Sequence, residues 1–181
     1  MHIGTGHFEG KKLKDSHDGA PLSTRILTMK ESIFEIIGVR IHEASVLDVN
    51  DRNGMYGIEA ISKGAAIVQF LNKVDHEKQL VKENLIAVDL DPNEYILDGN
   101  PEDFFNQKTD VHYDIIFFRI IDNRCSDMLE NVLNLQNENG ITVVQYPDTN
   151  DYDFEKAPTG FQIIDSRCVE ADKCLVMLKK K

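Results

Sequence analysis

The sequence predicts an α/β protein in which helices cover both faces of a mostly parallel sheet. From residue 45 onward, short apolar runs alternate with segments of helical periodicity, and the links between them are short. Residues 113–118 are almost wholly apolar, as expected of a central strand that is buried on both faces. The chain has 181 residues, of which 41% are hydrophobic, so it can build a full core. We expect one domain over residues 1–181.

The first 24 residues are predicted to form an extension ahead of a core of residues 25–181. The first 14 residues contain two short β-like runs, and a polar, turn-rich stretch follows them. Apolar residues at helical spacing between residues 29 and 37 predict the first helix, with a capping box at residues 28–31.

Strands and helices of the core follow from apolar runs, helical spacing and turn residues. Strands are predicted at residues 46–49, 66–71, 95–97, 113–118 and 141–146, with a terminal hairpin at residues 161–164 and 174–178. Helices are predicted at residues 55–63, 75–88 and 123–135, and another is predicted to begin at residue 101. Gly64 ends the first of these helices, and Asn100 with Pro101 suits the start of a helix.

Composition and charge exclude several classes of protein. The chain has 20 Lys and Arg against 31 Asp and Glu, a net charge of −11, which opposes avid non-specific binding to nucleic acid. The three cysteines are odd in number and lack C-x-x-C spacing, so we expect neither a disulfide framework nor a cysteine-rich zinc site. They favour a reducing compartment, and we expect the cytoplasm. No apolar run is long enough to span a bilayer, and we expect no signal peptide.

Four loops at one edge of the predicted sheet form the candidate ligand site. In open parallel sheets, ligands bind beyond the carboxyl ends of the strands, near the point where the strand order reverses. Those loops are residues 48–57, 71–75, 98–101 and 119–123. Any small-molecule chemistry is therefore expected from these segments.

The sequence resembles the bacterial RsmD-type methyltransferases over nearly its whole length. Residues 57–65, GIEAISKGA, are close to the family's G-L-E-A-L-S-R-G-A and form the most specific match. Residues 2–13 look like its N-terminal β-hairpin, which carries a G-x-x-x-G-[RK]-x-L pattern. Residues 30–34 match the family's first helix. Residues 84–85, 113–118 and 160–164 fall where the family has N-L, F-D-L-I-F-L and G-W-E-L-L, respectively.

This resemblance implies a Rossmann-like class I methyltransferase fold with a seven-stranded sheet and an N-terminal β-hairpin. It also implies S-adenosylmethionine as methyl donor and a guanine exocyclic amine of small-subunit ribosomal RNA as acceptor. Lys11, Lys12 and Lys14 follow the hairpin pattern, and they are either a remnant RNA-binding patch or a solvated strand face.

The segment at the family's glycine-rich cofactor loop departs from the family pattern. The pattern D-L-F-A-G-S-G-A-L-G reads DVNDRNGMYG at residues 48–57, so Asp48, Gly54 and Gly57 remain while Arg52 replaces the first glycine. Glycine lets the backbone approach a ligand closely, whereas arginine adds bulk and charge where the methionine moiety should lie. Alternatively, Arg52 pairs with the carboxylate of the cofactor.

Two acids of the family's cofactor site are also replaced. The residue in register with the acid that binds the ribose hydroxyls is Asn72. An amide still accepts hydrogen bonds, but charge-assisted bonds are about twice as strong. Asn100 replaces the acid of the G-D-A pattern after the third strand, and the adjacent Asp98 is a candidate substitute. The other interpretation of Asn100 is a helix cap.

The catalytic motif departs furthest from the family. The D-P-P-[YF] motif holds the guanine amine and stacks a ring on the base, and the aligned residues here are Arg119, Ile120, Ile121 and Asp122. Methylation of an amine develops positive charge on nitrogen, so Arg119 in place of an acid opposes the transition state. A shifted alignment puts Asp122 in the role of the acid, without the prolines or the ring.

These departures predict a degenerate homologue, inactive or weakly active, that acts by binding RNA, a ribosomal component or another protein. S-adenosylmethionine is the cofactor implied, and we expect no tight binding of it. Because a charge beside a vacated pocket needs a partner, we expect Arg119 to pair with Asp48, Asp51 or Asp122 and to fill part of that pocket.

Two other functions compete with this interpretation. In an active methyltransferase, Gly54, Gly57 and Asn72 still hold the cofactor and Asp122 serves the amine. Alternatively, Arg52 and the loop amides bind some other nucleotide. No metal site is expected, because the histidines near the N-terminus do not match the spacing of a metal motif.

Overall fold

A six-stranded mixed sheet with flanking helices forms the framework of the protein in this computed structural model. The structure describes residues 1–16, 23–106, 110–122, 128–146, 157–170 and 173–181, with the backbone alone at residues 169–170 and 173–174. The strands are β1 (Ser45–Val49), β2 (Ile67–Leu71), β3 (Tyr113–Arg119), β4 (Gln136–Tyr146), β5 (Phe161–Glu170) and β6 (Lys173–Lys180). The helices are α1 (Thr24–Ile37), a 3-10 helix (Gly38–Ile41), α2 (Met55–Ser62), α3 (Asp75–Ala87), α4 (Pro92–Tyr95), α5 (Pro101–Asn106) and α6 (Leu129–Asn134).

The strand order is β2-β1-β3-β4-β6-β5, with β1 in the interior of the sheet. The first four of these strands run parallel, and β6 and β5 complete the sheet in antiparallel orientation. The carboxyl ends of β2, β1, β3 and β4 therefore lie at one edge of the sheet, which we call the carboxyl edge. The predicted α/β class with a largely parallel sheet is confirmed.

Two apolar clusters pack on opposite faces of the sheet. Successive residues of a strand point to opposite faces, so Val46 and Ile115 join one cluster while Leu47 and Ile116 join the other. The first cluster includes α1, α2 and the N-terminal extension, and the second includes residues of α5 and α6. The prediction of a central strand at residues 113–118 that is buried on both faces is confirmed.

The expected seventh strand at residues 95–97 is reduced to one parallel bridge, between Ile96 and Phe70. Asp91 accepts a hydrogen bond from the amide of Asn93, and with Pro92 in the first turn it starts α4, which continues through Tyr95. The helix therefore takes up residues that would otherwise extend the strand. Likewise, the expected N-terminal hairpin contains one antiparallel bridge, between His2 and Lys12.

Two other local predictions are wrong. The structure caps α1 with Ser23, whose hydroxyl accepts a bond from the amide of Ile26, so residues 28–31 lie inside the helix. Strand β4 begins at Gln136, five residues ahead of the predicted start, because Gln136 pairs with Tyr113 before a register shift. The predicted C-terminal glycine of α2, Gly64, does adopt a left-handed φ of 91°.

One disulfide is present in the described part of the chain, at Cys168. Cys168 stands in register with Cys174 across the antiparallel β5–β6 pair. The number of cysteines and their spacing along the chain did not indicate a disulfide. The bond at Cys168 counts against the reducing compartment that these features were expected to favour.

Polar contacts fasten the N-terminal extension to the core. Glu59 of α2 is 2% exposed. It accepts a hydrogen bond from the amide of Gly4 at 3.1 Å and forms an ion pair with Lys30 of α1 at 2.6 Å. Asn84 of α3 accepts a bond from the amide of Lys14 at 2.8 Å and donates to its carbonyl at 3.0 Å. The extension is therefore held by side chains of α2 and α3.

We predict that the buried pair Lys30–Glu59 contributes far more to stability than the exposed pair Lys14–Glu83. Replacement of Lys30 by Met leaves the carboxylate of Glu59 buried without its main counter-charge, which should lower the free energy of unfolding by about 3–5 kcal/mol. Lys14→Met, the matched control at an exposed pair, should change it by less than about 1 kcal/mol. Urea denaturation of both variants measures the difference, and equal effects would contradict the prediction.

Candidate functional site at the carboxyl edge

The loops that follow β1, β2 and β3 are tied together at the carboxyl edge by Asn50. Its amide donates to the carbonyl of Leu71 at 2.9 Å, and its Oδ1 accepts from the amide of Lys73 at 2.9 Å. The carbonyl of Asn50 accepts a bond from Nε of Arg119 at 2.5 Å. Asn50 adopts a left-handed φ of 58°, which asparagine tolerates better than most residues, and this directs its groups to both neighbours.

Arg119, at the end of β3, pairs with Glu77 in the first turn of α3. One terminal guanidinium nitrogen lies 2.6 Å from each carboxylate oxygen of Glu77. The side chains of Arg119 and Glu77 are 18% and 9% exposed, so the pair is largely desolvated. The expectation of an Arg119–acid pair at this edge agrees with the structure, but the bonded acid is Glu77 and not one of the three acids proposed from sequence.

A second ion pair network crosses the same edge through Lys73. Its ammonium group lies 2.9 Å from Asp122 and 2.7 Å from Glu102 of α5. Asp122 therefore faces a lysine rather than an open pocket. Between the two networks, Ile120 is buried with its amide bonded to the carbonyl of Gln145, and Ile121 is half-buried.

Two buried carboxyl groups lie under the N-terminus of α2. Asp48 accepts a bond from the amide of Gly57 at 2.7 Å, and Asp51 accepts one from the amide of Tyr56 at 3.1 Å. Burial raises the pKa of Asp48 well above its ordinary value, and the neighbouring carboxylate of Asp51 raises it further. Burial also raises the pKa of Asp51.

The glycines that match the family's cofactor loop are required by packing in this chain. A Cβ at Gly57 would lie 2.3 Å from the ring of Phe70 and 2.9 Å from Oδ2 of Asp48. Gly54 has a φ of 73° and also packs against Phe70. Arg52 is exposed on the outside of the loop, so its side chain does not fill the crevice. Packing and backbone conformation thus account for the glycines at these two positions without a ligand.

The two amides at the family's acid positions have structural partners. Asn72 is 5% exposed, and its Nδ2 donates to the carbonyl of Asp51 at 2.8 Å. Asn100 caps α5, because its Oδ1 accepts a bond from the amide of Asp103 at 2.9 Å. Asp98, the candidate substitute, is exposed. The cap interpretation of Asn100 agrees with the structure.

The cavity that the described residues form at the carboxyl edge is small. A cavity of about 10 Å³ lies there, and sites for organic cofactors are typically about 300–1,000 Å³. Its walls are formed by Asp48, Val49, Asp51, Tyr56, Phe117, Phe118, Arg119, Val143, Gln145 and Leu175. Among the residues that the structure describes at this edge, the tied loops, the ion-paired side chains and this volume do not fit S-adenosylmethionine.

The described residues also line two larger cavities, each below 300 Å³, away from this edge. One, of about 270 Å³, lies between the N-terminal extension, α1 and α2, with the Lys30–Glu59 pair in its wall. The other, of about 290 Å³, lies beside α6 and the start of β5. Neither contains a residue of the predicted cofactor or catalytic set.

The three lysines predicted as an RNA patch are largely neutralised. Lys11 pairs with Asp89 at 2.5 Å and Lys14 pairs with Glu83 at 2.7 Å. Lys12 is exposed, and within the described ranges no ion pair of it is observed. Two of the three positive charges are therefore engaged by acids of the α3 region.

The described residues offer neither a metal-binding cluster nor a membrane-spanning helix. In that part of the chain, no three His, Cys, Asp or Glu side chains form a group that could hold a metal ion. None of the helices seen there combines the length and the apolar character that a bilayer crossing requires.

The fold and the carboxyl edge define the chain as a methyltransferase-like α/β protein. The candidate methyltransferase yhhF from Escherichia coli shares the fold at a TM-score of 0.76 and 19% identity, over 100% of this chain and 98% of that chain. The candidate methylase HI0767 from Haemophilus influenzae shares it at a TM-score of 0.74 and 20% identity, over 99% of this chain and 98% of that chain. SMU.776, a candidate methyltransferase in complex with SAH, is similar at a TM-score of 0.64 and 14% identity (87% of this chain and 50% of that chain).

The chain belongs to the family described as "Conserved hypothetical protein 95", the RsmD-type family, whose sequence model matches residues 1–177. No protein of curated function matches the chain. The family resemblance seen in the sequence is thereby confirmed. At these identities the solved structures establish the fold alone.

We predict that Asp48 makes the protein less stable as the pH rises. A carboxyl group with a raised pKa in the folded state binds its proton more tightly there, so its stabilising effect is present below the unfolded pKa of about 4 and is lost as the pH rises through the folded pKa. Between the unfolded and the folded pKa, the free energy of unfolding of the wild type should fall by up to about 1.4 kcal/mol per pH unit. Asp48→Asn should abolish this fall. Urea denaturation between pH 4 and the alkaline range measures the slope.

Asp114 serves as a control of opposite sign. Burial raises its pKa, but hydrogen bonds from Ser45 and Asn137 outweigh that effect and leave the pKa below its ordinary value. Asp114 therefore stabilises the fold above the unfolded pKa, and this effect is lost as the pH falls. A variant Asp114→Asn should lose stability at neutral pH but not in acid. If both variants changed the pH dependence of the free energy of unfolding in the same direction, the opposite pKa shifts of Asp48 and Asp114 would be contradicted.

We also predict that Gly57→Ala destabilises the fold by about 1–3 kcal/mol, because the added methyl group overlaps the ring of Phe70. Gly4→Ala is the matched control, since its Cβ would meet its nearest atom, Oε1 of Glu59, at 3.4 Å. That variant should be neutral or slightly stabilising. Chemical denaturation compares the two, and a harmless Gly57→Ala would show that the position is not constrained by packing.

Proposed function

We propose that the chain is a non-methylating member of its family that acts by binding a macromolecular partner. The observation that carries the proposal is the closed carboxyl edge, where the Arg119–Glu77 pair stands beside a cavity of about 10 Å³. A bound cofactor would require this pair and the Asn50 hydrogen bonds to break. Separation of a largely desolvated ion pair costs several kcal/mol, which would be subtracted from the binding free energy.

The charges at the catalytic position also support the proposal. Nitrogen methylation needs negative groups near the nitrogen, because positive charge develops there in the transition state. Arg119 instead brings a positive charge to the end of β3. Asp122 supplies a carboxylate, but it is already bonded to the ammonium group of Lys73 at 2.9 Å, which also bonds Glu102. An amine at the end of β3 would therefore have to compete with Lys73 for this carboxylate.

The residues at the family's cofactor positions also support the proposal that the chain does not methylate. The amide nitrogen of Asn72 is bonded to the backbone of the β1 loop, and Asn100 is a helix cap. Loss of one charge-assisted bond weakens binding by about tenfold or more, since such bonds contribute about 1.5–3 kcal/mol each. Two such replacements in one site leave little affinity for a nucleoside.

A protein is the favoured partner class over RNA. The net charge of −11 repels a phosphate backbone, and Lys11 and Lys14 are already paired with acids. RNA binding by these lysines would require the release of Asp89 and Glu83. Our proposal keeps the cytoplasm as the compartment, where a basic surface of a ribosomal component is a chemically suitable partner. It requires the fold to persist there when the disulfide at Cys168 is reduced.

The competing function is an active methyltransferase acting on a guanine amine of small-subunit ribosomal RNA. Membership of the family favours it, as does the fold shared with SMU.776, which was solved in complex with SAH. That function requires the carboxyl edge to open and Asp122 to separate from Lys73. Cofactor binding therefore distinguishes the two functions.

We predict that titration calorimetry detects no binding of S-adenosylmethionine or S-adenosylhomocysteine up to about 1 mM, a limit that corresponds to about −4.1 kcal/mol. The physical reason is the ion-paired and hydrogen-bonded carboxyl edge. SMU.776 with S-adenosylhomocysteine, measured under the same conditions, is the positive control. Micromolar affinity in this chain would overturn the proposal and support the competing enzyme.

We further predict weak RNA binding that does not depend on sequence. A fragment of small-subunit ribosomal RNA and a random RNA of equal length should both bind with dissociation constants of about 10⁻⁶ M or weaker at physiological salt. The double variant Glu83→Gln/Asp89→Asn should bind both RNAs more tightly, because it frees Lys14 and Lys11. Filter binding measures all four affinities. Nanomolar, selective binding by the unmodified chain would support an RNA partner instead.

A further inference from the structure

The small cavity at the carboxyl edge has polar groups in an otherwise apolar wall. Val143, Phe118 and Leu175 supply apolar walls, while Asp48 and Tyr56 line it from β1 and α2. Its volume of about 10 Å³ is close to the lower limit for one water molecule, about 10–15 Å³ on the same scale. The cavity is therefore large enough for a single small ligand and excludes any organic group.

Two buried polar atoms of residues that line this cavity have no hydrogen-bond partner among the described residues. They are Oδ1 of Asp48 and the hydroxyl oxygen of Tyr56. Asp48 is 0% exposed and Tyr56 is 3% exposed, so bulk water does not reach them. An unsatisfied buried polar atom costs about 1–3 kcal/mol, and native proteins rarely leave two in one place. The other oxygen of Asp48 is already bonded to the amide of Gly57.

We propose that the cavity holds one ordered water molecule bonded to Oδ1 of Asp48 and to the hydroxyl of Tyr56. Water is the ligand that matches both the volume and the pair of unsatisfied atoms. Asp51 and Gln145 also line the cavity, so the water has further acceptors for its own hydrogens. This inference concerns the interior of the fold, and it holds whether or not the chain binds a cofactor.

The titratable groups around the cavity determine the direction of these bonds. Burial and the nearby Asp51 carboxylate raise the pKa of Asp48. Because Oδ2 accepts from the amide of Gly57, a proton bound to Asp48 would lie on Oδ1. Burial and the same acids also raise the pKa of Tyr56, which keeps its hydroxyl protonated. Both groups then donate to the oxygen of the water. The positive charge of Arg119 lowers the pKa of Asp48, but burial and the Asp51 carboxylate outweigh this effect.

A monovalent cation is the alternative occupant, and it requires a different protonation state. A cation would need Asp48 ionised, and it would sit closer to the oxygen atoms than a hydrogen-bonded water does. Desolvation opposes the ionised form of a carboxyl group that is buried beside a second one. The neutral carboxyl group with water is therefore the consistent combination.

A crystal structure of the full chain at high resolution, grown in sodium- and potassium-containing buffer at neutral pH, tests the proposal. We expect one density peak about 2.7–3.0 Å from both Oδ1 of Asp48 and the Tyr56 hydroxyl. Infrared spectra of the wild type should also show the C=O band of a protonated carboxyl group, and Asp48→Asn should lose it. An empty cavity, a direct Asp48–Tyr56 bond, or a peak at cation distances would overturn the proposal.

Tyr56→Phe provides the second arm, with Tyr113→Phe as its matched control. Tyr113 donates its hydroxyl proton directly to Gln69 at 2.6 Å, with no cavity between them. We expect the density peak to disappear in crystals of Tyr56→Phe and to persist in Tyr113→Phe. Persistence of the peak in Tyr56→Phe would show that the hydroxyl does not hold the water. Should that variant fail to fold, the wild-type density decides alone.

Discussion

The guanidinium group of Arg119 is the interaction on which the carboxyl edge depends. It is bonded to the backbone of the β1 loop and to Glu77 of α3, so it links three elements that the chain brings together over long separations. A largely buried positive charge is unfavourable unless it is paired, and it therefore constrains the positions of its partners. Once Arg119 and Asn50 fix these loops, little volume remains between them. In this chain the edge where parallel sheets bind ligands is consolidated by ion pairs and hydrogen bonds.

Residues that match the family pattern have packing roles that are visible in the structure. Gly57 leaves room for Phe70, Glu59 anchors the extension, and Asn84 bonds to the backbone of Lys14 and Asn53. The match to the family is thus explained by the fold itself. The departures from the family pattern, Arg119 above all, fall where a ligand would lie.

Much of the fold could be predicted from local patterns, whereas the ion pairs could not. The apolar run of β3, the periodicity of α3 and the cap at Asn100 are local signals, and they agree with the structure. The strand at residues 95–97 failed because the helix start at Asp91 and Pro92 lies next to it and prevails. Glu77 was missed as the partner of Arg119 because the two lie 42 residues apart. An acid in the first turn after β2, at the same edge as Arg119, is the signal that points to it.

The attachment of the N-terminal extension has a consequence for the order of assembly. Gly4 is bonded to a side chain 55 residues later, and Lys14 to one 70 residues later. These contacts become possible only after α2 and α3 have been synthesised, so the extension leaves the ribosome before its binding sites on the core exist. Contacts of such long range slow folding, because the loop between them must close before the contact stabilises it. Until then Glu59 and Asn84 lack these partners.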